Sequence, residues 1–459
     1  METTFNNAAQ IDAQVGVQIG IQIDAQAAHL LQQLNEAGFE AYLVGGCVRD
    51  ALRGQTPKDW DIATSATPKE LHGALSGLQL IDTGIQHGTV TAVLEGSHYE
   101  ITTFRTEGAY FDARHPSSVS FVRSLEEDLA RRDFTINALA YHPQQGLIDP
   151  FGGARDLEQG ILRAVGSPAK RLEEDALRIM RALRFAATLN LVIEPELADA
   201  LHEHRHALQN IAVERINVEL TKMLVGENVL SVLLEYPDVL AVFIPELEPC
   251  IGLDQRSKYH CYDVWEHTAH AIALSEPEEL VRLTLLFHDV GKPVQFTIDE
   301  QGAGHFYGHD KVGSQLTHTR LKRLRFDNET VEMVTNLVKR HGAEVSVKTI
   351  PRWLNRLGVE GLRVMIKVKR GDILAHSEVN KQGRFDALAE FEQALEEYLA
   401  AEPCFTRACL AVAGSDLIEL GFAEGRALGQ ALDTLLDLVL EGKLENSQAA
   451  LLKAAKELL

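Results

Sequence analysis

The chain has 459 residues, 45% of them hydrophobic and 24% charged, with a formal net charge of −22. That composition belongs to a globular protein long enough for more than one core, and no apolar run reaches membrane-spanning length. The acidic balance excludes a general nucleic-acid coat protein but leaves room for an enzyme that holds RNA along a local basic strip.

Residues 1–24 are polar and free of Lys and Arg, and Ile-Asp-Ala-Gln occurs at Ile11 and again at Ile23. They read as a flexible extension. A helix is expected over Ala25 to Ala37, with Ala28, Leu30, Leu31 and Leu34 as its apolar face and Gly38 as its stop. The stretch Leu43 to Thr64, LVGGCVRDALRGQTPKDWDIAT, follows. Leu43 and Val44 end a short buried strand, Gly45 and Gly46 turn the chain, and a helix from about Val48 carries Arg49 and Asp50. Asp59 and Asp61 flank Trp60, and residues i and i+2 of a strand face one side. Two carboxylates beside a glycine turn whose N–H groups can hold a phosphate are the equipment of two-metal nucleotidyl or phosphoryl transfer.

Leu80 to Phe104 alternates as strands, with Val90, Ala92 and Leu94 on one side and a hairpin near Gly96. The strand Tyr99 to Arg105 carries one acid, Glu100. Glu107 to Ser120 reads as a mobile loop. Arg131-Arg132-Asp133-Phe134-Thr135-Ile136-Asn137 places two cations and an acid at the opening of an apolar helix, suited to a triphosphate and a ribose hydroxyl, or to plain helix capping. Leu147 to Val165 reads as strand, glycine turn, strand. Helical patterning resumes at Ala169, where Leu172, Ala176, Ile179, Met180, Leu183 and Phe185 face the core. Glu174, Asp175, Arg178, Arg181 and Arg184 lie on other faces, and Asp175 and Arg178 are neighbours on one helix surface.

The second half is helical from Leu230. His267 precedes His288-Asp289, and His309, His341 and Asp372 follow. Imidazole plus carboxylate suits Mn, Fe, Ni, Co or Mg with open water positions. Two basic strips stand out, Arg320, Lys322, Arg323 and Arg325, then Arg363, Lys367, Lys369 and Arg370, with Arg352 and Arg356 around Trp353. They read as phosphate-tracking or solvated helix faces. The cysteines Cys47, Cys250, Cys261, Cys404 and Cys409 read as reduced, unconnected, buried thiols in a cytoplasmic protein.

Gly-Gly before Val-Arg-Asp, followed by Asp-Trp-Asp, resembles the signature of polymerase-β-like nucleotidyltransferases. The motifs R-R-D-F-T-I-N-A and E-D-A-L-R-I-M-R-A-L-R-F, with Glu214-Arg215-Ile216, resemble those of the bacterial class II tRNA nucleotidyltransferase and poly(A) polymerase family. The His/Asp order resembles HD-type metal phosphohydrolases. The resemblance implies an α+β polymerase-β-like head (25–168) of small mixed sheet and helices. An all-α neck (169–232), an HD body (233–400) and a helical tail (401–459) follow.

It further implies that Asp59 and Asp61 hold Mg²⁺, joined by Glu100 unless that residue is only an edge-strand acid. Gly45, Gly46, Arg49 and Arg132 meet phosphates and Asp133 reads ribose. Asp175 and Arg178, with Arg181 and Arg184, read the base, because C and A share an exocyclic amino group that G and U lack at that edge. His267, His288, Asp289 and Asp372 form one HD metal site, with His309 and His341 for a second ion. The 214–219 segment braces the selecting helix. The implied reaction adds CCA to tRNA from CTP and ATP. Poly(A) polymerase, a CC-only or A-only enzyme, an HD phosphohydrolase with a nucleotide-binding head, and a non-catalytic RNA-binding module remain as alternatives.

Overall fold

The computed structural model describes residues 21–107, 119–401 and 404–459. Most of the expected extension, 1–20, and most of the expected mobile loop, 108–118, lie outside the described residues. The chain forms two compact units parted between Met223 and Leu224. Among the described residues no helix is long and apolar enough to cross a membrane.

In the first unit the chain is anchored from Ile21, not from 25. Ile21 and Ile23 pack on the core, and Asp24 caps helix α1 (Ala25–Glu36) while accepting from Tyr99 Oη at 2.8 Å. The buried stripe of α1 is Ala27, Leu30, Leu31 and Leu34, so Ala27 takes the place expected of Ala28. Strand β1 (Ala41–Val44) is buried along its whole length because both faces of the sheet are covered. Ala41 and Leu43 face one core, with α1, while Tyr42 and Val44 face a second core with Phe104 and Leu129. That is why the strand reads as a continuous apolar run and not as an alternation.

Helix α2 (Gly46–Leu52) starts at the second glycine, two residues ahead of Val48. Then come β2 (Ile62–Thr64), α3 (Pro68–Ala74), β3 (Gln79–Gly84), β4 (Thr89–Leu94) and β5 (Ser97–Thr103). Strands β6 (Arg105–Glu107) and β7 (Val119–Phe121) pair with each other, followed by α4 (Leu125–Ala130), β8 (Ala140–His142) and β9 (Gly146–Ile148). The seven-stranded mixed sheet runs β3-β4-β5-β2-β1-β8-β9, with β2 and β5 parallel. Glu100 therefore sits on an interior strand, which removes the edge-strand reading. Asp59 and Asp61 precede β2 and do not lie in it, although Asp61 O accepts from Val44 N at 3.0 Å.

The stretch after β9 holds a helix, α5 (Gly153–Gln159), where only a glycine turn was expected. The helix expected from Ala169 is two helices, α6 (Pro168–Glu174) and α7 (Leu177–Leu189). Between them Asp175 is extended, at φ −141° and ψ 104°. α8 (Pro195–His204) and α9 (Val213–Leu224) complete the run.

The second unit is helical. Leu337, Trp353, Leu362, Met365 and Phe391 build one core, and Leu417, Leu435 and Leu451 centre a separate core under the last helices. The basic strips are largely engaged internally. Arg320 pairs with Glu246, Arg363 with Glu396, Lys367 with Glu276 and Glu278, and Arg370 with Glu276 and Glu392. Lys369 donates to the carbonyls of His341 and Ala343 at 2.6 Å each. These contacts favour the helix-face reading for those residues. All five cysteines are free thiols, but only Cys47 and Cys250 are buried.

Candidate active site and metal cluster

In the first unit one cavity of about 730 Å³ is lined by Gly45, Gly46, Asp61 and Glu100 on one side and by Asp175, Arg178 and Arg181 on the other. That volume suits a ligand the size of a nucleotide. Gly45 adopts φ +71°, and a Cβ there would stand 2.8 Å from Arg132 Nη1, so only glycine serves. Its N–H donates to Leu139 O at 3.0 Å and is therefore not available to a phosphate.

The Asp61 carboxyl is pushed up to about 6 by burial and by the charges of Glu100 and Asp59, against the pull of Arg132. The three carboxylates thus share one electrostatic neighbourhood. Asp59, however, is exposed and does not line the cavity, which corrects the expectation that both aspartates face it together. Among the described residues, these three are not one of the groups whose ligand atoms all lie within 4.8 Å.

The segment Arg131–Asn137 is not a helix start. It is the bend after α4, closed by a single 3₁₀ turn at Thr135–Asn137. Asp133 Oδ1 accepts from Phe134 N and Asn137 Nδ2, and Oδ2 accepts from Arg181 Nε and Nη2 at 2.8 and 2.5 Å. Burial alone would raise Asp133, but Arg181 and Asn137 outweigh it and hold the carboxyl at about 2. Arg49 does not line the cavity. It stands behind the wall, where Nη1 donates to Asn137 Oδ1 at 2.7 Å and so positions the residue that positions Asp133.

Asp175 and Arg178 both line the cavity but do not pair with each other. Asp175 Oδ1 caps Leu177 N at 3.0 Å, and Oδ2 accepts from Arg215 Nη2 at 2.9 Å. Arg178 Nη1 donates to Glu174 at 2.7 Å and to Arg171 O, and Nη2 donates to Arg131 O. Arg184 is absent from the cavity wall. It pairs with Glu219 of α9 at 2.5 Å and covers the Phe185 ring at 3.8 Å, so the expected base reader is part of the bracing. The brace expected of 214–219 is visible in these two contacts, Arg215 to Asp175 and Glu219 to Arg184.

Arg131 lines the cavity beside Arg132, as the paired cations of that motif suggest. Arg105, Asn137, Phe185 and Arg215 also line it, and nothing in the sequence marks them for that place. Phe185 was assigned to the core, where most of it lies.

In the second unit the helices bring all six expected ligands together. His267 comes from the helix Val264–Leu274, His288 and Asp289 from the end of Glu279–Phe287, His309 from the start of His309–Arg323, and Asp372 from Ile350–Ala375. His267 Nε2 lies 3.0 Å from Asp372 Oδ1, and His288 Nε2 lies 3.2 Å from Asp289 Oδ2. On the other side of Asp289, His309 and His341 approach Oδ1 at 3.5 and 3.7 Å. Gly291 is required by packing, since a Cβ there would meet His309 O at 2.1 Å. Asp289 and Asp372 are held well below the usual carboxylate range: burial opposes this, but His288 and Lys292 overcome it at Asp289, and His267 and His376 at Asp372. Among the described residues, three overlapping groups have ligand atoms within 4.8 Å of one another: His267/His288/Asp289, Asp289/His309/His341 and His260/His267/His376. His260 and His376 were not expected. His376 follows Asp372 by four residues, and that same-face spacing was the available signal.

Residues 41–163 match the Poly A polymerase head domain, 190–251 the probable RNA and SrmB-binding site of polymerase A, and 311–455 the putative tRNA nucleotidyltransferase domain 2. The chain is 36% identical to the CCA-adding enzyme of Enterococcus faecalis over 439 residues, covering 94% of this chain and 95% of that one. It is 38% identical to the CCA-adding enzyme of Limosilactobacillus fermentum over 436 residues, 94% and 96% of the two chains. Among solved structures it resembles the Bacillus stearothermophilus CCA-adding enzyme in complex with CTP, with a TM-score of 0.66, 30% identity and coverage of 94% and 96%.

Proposed function

The chain belongs to the CCA-adding enzyme family, and from that premise we propose how its residues carry the reaction. It is a nucleotidyltransferase that adds or repairs the 3′-terminal CCA of tRNA from CTP and ATP. The tRNA 3′ oxygen forms a bond to the α-phosphorus, the bond to the β-phosphate bridging oxygen breaks, and pyrophosphate leaves. One observation carries the assignment of roles: Asp61 and Glu100 line the same cavity as Asp175 and Arg178, so one bound nucleotide reaches both.

A divalent metal fits the carboxylate side, because the Asp61 carboxyl, raised to about 6 beside Glu100 and Asp59, is short of positive charge. Of the candidate ions we infer Mg²⁺, held by Asp61 and Glu100 with Asp59 beside them. Bound there, it supplies Lewis-acid charge to phosphate oxygens. Arg132, Arg131 and Arg105 face the cavity and neutralise the triphosphate, with Gly45 and Gly46 keeping the floor open. Asp133, fixed by Asn137 and Arg181, accepts from a ribose hydroxyl. Asp175 accepts from the exocyclic amino group that C and A share, and Arg178 donates to the same edge. The template is thus a set of side chains. Five free thiols support a reducing, cytoplasmic setting.

The test is extension of tRNA lacking CCA by purified protein with each NTP alone and together. CTP alone should give two additions, and CTP with ATP should give three and stop. Growth past three residues with ATP alone would replace this reading with poly(A) synthesis.

We also infer that the second unit holds a metal centre suited to phosphoester hydrolysis. The convergence of His267, His288, Asp289, His309, His341 and Asp372 favours it. Metal analysis of the wild type against His288→Ala tests it, and equal metal content would sink it.

A further inference from the structure

Asp128 is a buried acid of the first unit that the reaction, as assigned above, does not use. It stands in α4 with 1% of its side chain exposed, and it does not line the cavity. Each oxygen of its carboxylate is nevertheless engaged by an arginine that does. Oδ1 accepts from Arg131 Nε at 3.0 Å and Nη2 at 2.8 Å, and from the backbone N–H of Arg105 at 3.2 Å. Oδ2 accepts from Arg132 Nη2 at 3.3 Å. Arg105 opens β6, whereas Arg131 and Arg132 follow α4, so one carboxylate ties together two segments far apart in the chain. Burial opposes a charge at Asp128, but Arg131 and Arg132 overcome it and hold the carboxyl below its ordinary range.

Guanidinium groups crowded on one wall repel one another before a ligand arrives. A carboxylate behind them offsets that repulsion and fixes where each planar fork points. Arg132 is loosely held, with Nη2 on Asp128 at 3.3 Å and Nη1 on Asn137 O at 3.4 Å, so its aim depends on few contacts. The base-reading side is anchored separately. Arg178 donates to Arg131 O at 3.1 Å, but Glu174 and Arg171 O hold it as well.

We propose that Asp128 is a positioning residue of the triphosphate subsite, a carboxylate behind the cavity wall that gathers Arg105, Arg131 and Arg132 to meet the phosphates of the incoming nucleotide. The proposal rests on the triphosphate role given to these arginines and adds the group that aims them. Aim and charge predict opposite signs. Asp128 is negative and close to the seat of a polyanion, so on charge alone its removal would tighten phosphate binding. If it aims the arginines, its removal loosens that binding.

The experiment measures inhibition of CTP addition by inorganic triphosphate, in the presence of Mg²⁺, on the full-length chain. Asp128→Asn is expected to raise the inhibition constant and the KM for CTP together by about tenfold, the equivalent of one misplaced charge-assisted hydrogen bond. The preference for CTP over UTP should be retained. An unchanged or lowered inhibition constant would overturn the proposal. So would a loss of base preference in step with the rise, which marks a general loosening of the fold. Removing one partner of a buried ion pair can unfold a protein, so Asp128→Glu is measured beside it. That variant keeps the charge but carries both oxygens one methylene further. A raised inhibition constant with base preference retained is again expected, and an unchanged one would overturn the proposal. Arg132→Ala separates the two readings. If it leaves the inhibition constant unchanged, the triphosphate role of the arginines falls and the proposal falls with it. If it raises the constant while the Asp128 variants do not, only the aiming role falls.

Discussion

The nucleotide cavity of the first unit and the histidine cluster of the second are both rich in charge, and they pair it with different partners. In the cavity the charged side chains are paired across the protein: Asp133 with Arg181, Asp175 with Arg215, Arg178 with Glu174, and Asp128 with Arg131 and Arg132. In the cluster, imidazoles take the place of most of the guanidinium groups: Asp289 faces His288, His309 and His341 beside Lys292, and Asp372 faces His267 beside Arg384. Guanidinium partners hold a fixed shape around a ligand that arrives and departs. Imidazoles beside carboxylates are also the donor set of a divalent metal centre, as proposed for this unit.

The sharpest way to break this contrast is a reciprocal pair of variants. Asp61→Ala should lower nucleotide addition by at least ~10³-fold, since the metal-linked charge stabilisation it removes is worth several kcal/mol. It should leave the metal content of the second unit intact. His288→Ala should do the reverse, and a variant that lost both properties would show that the two sites are not independent.

A smaller effect tests the paired side alone. On the proposed roles, Asp175→Ala and Arg178→Ala each remove a base contact worth ~1–3 kcal/mol, so the preference for CTP over UTP in kcat/KM should fall by ~10- to 100-fold. An unchanged preference would remove these residues from the template.

The smallest effect is on stability. Burial works against ionised Asp133, but Arg181 and Asn137 hold its carboxyl at about 2 against the ordinary 3.8. A carboxylate depressed in the fold stabilises it at pH above 3.8, and that gain is lost as pH falls through about 2. The difference corresponds to roughly 2 kcal/mol. Urea unfolding of the wild type should show that loss on acidification between those two values, and Asp133→Asn should not.

What the sequence disclosed follows from periodicity and local chemistry. The stripe of α1, the hairpin at Gly96 and the strand–glycine–helix turn at Gly45 each depend on neighbours within a few residues. The six His/Asp ligands were legible by type and order. Partner choice was not. Nothing local marks Lys367 for Glu276, or Arg184 for Glu219, because such pairs form between segments far apart in the chain. The break at Asp175 was missed for a related reason. No glycine or proline announces it, and helical periodicity continues on both sides. Its only local sign is an acid able to cap the next helix.

That break sets how the base reader can move. Asp175 belongs to neither α6 nor α7, so its φ and ψ can turn while the 13 residues of α7 stay packed. With the base-reading role proposed for Asp175 and Arg178, the switch from joining cytidine to joining adenosine calls for a turn at one joint and no sliding of a helix through the core. Ala176 already has φ −62°, so Ala176→Pro stiffens that joint at a φ the ring accepts. Stalling after the second cytidine, with the first two additions preserved, is the expected outcome in single-turnover kinetics, and an unaltered final step would place the pivot elsewhere.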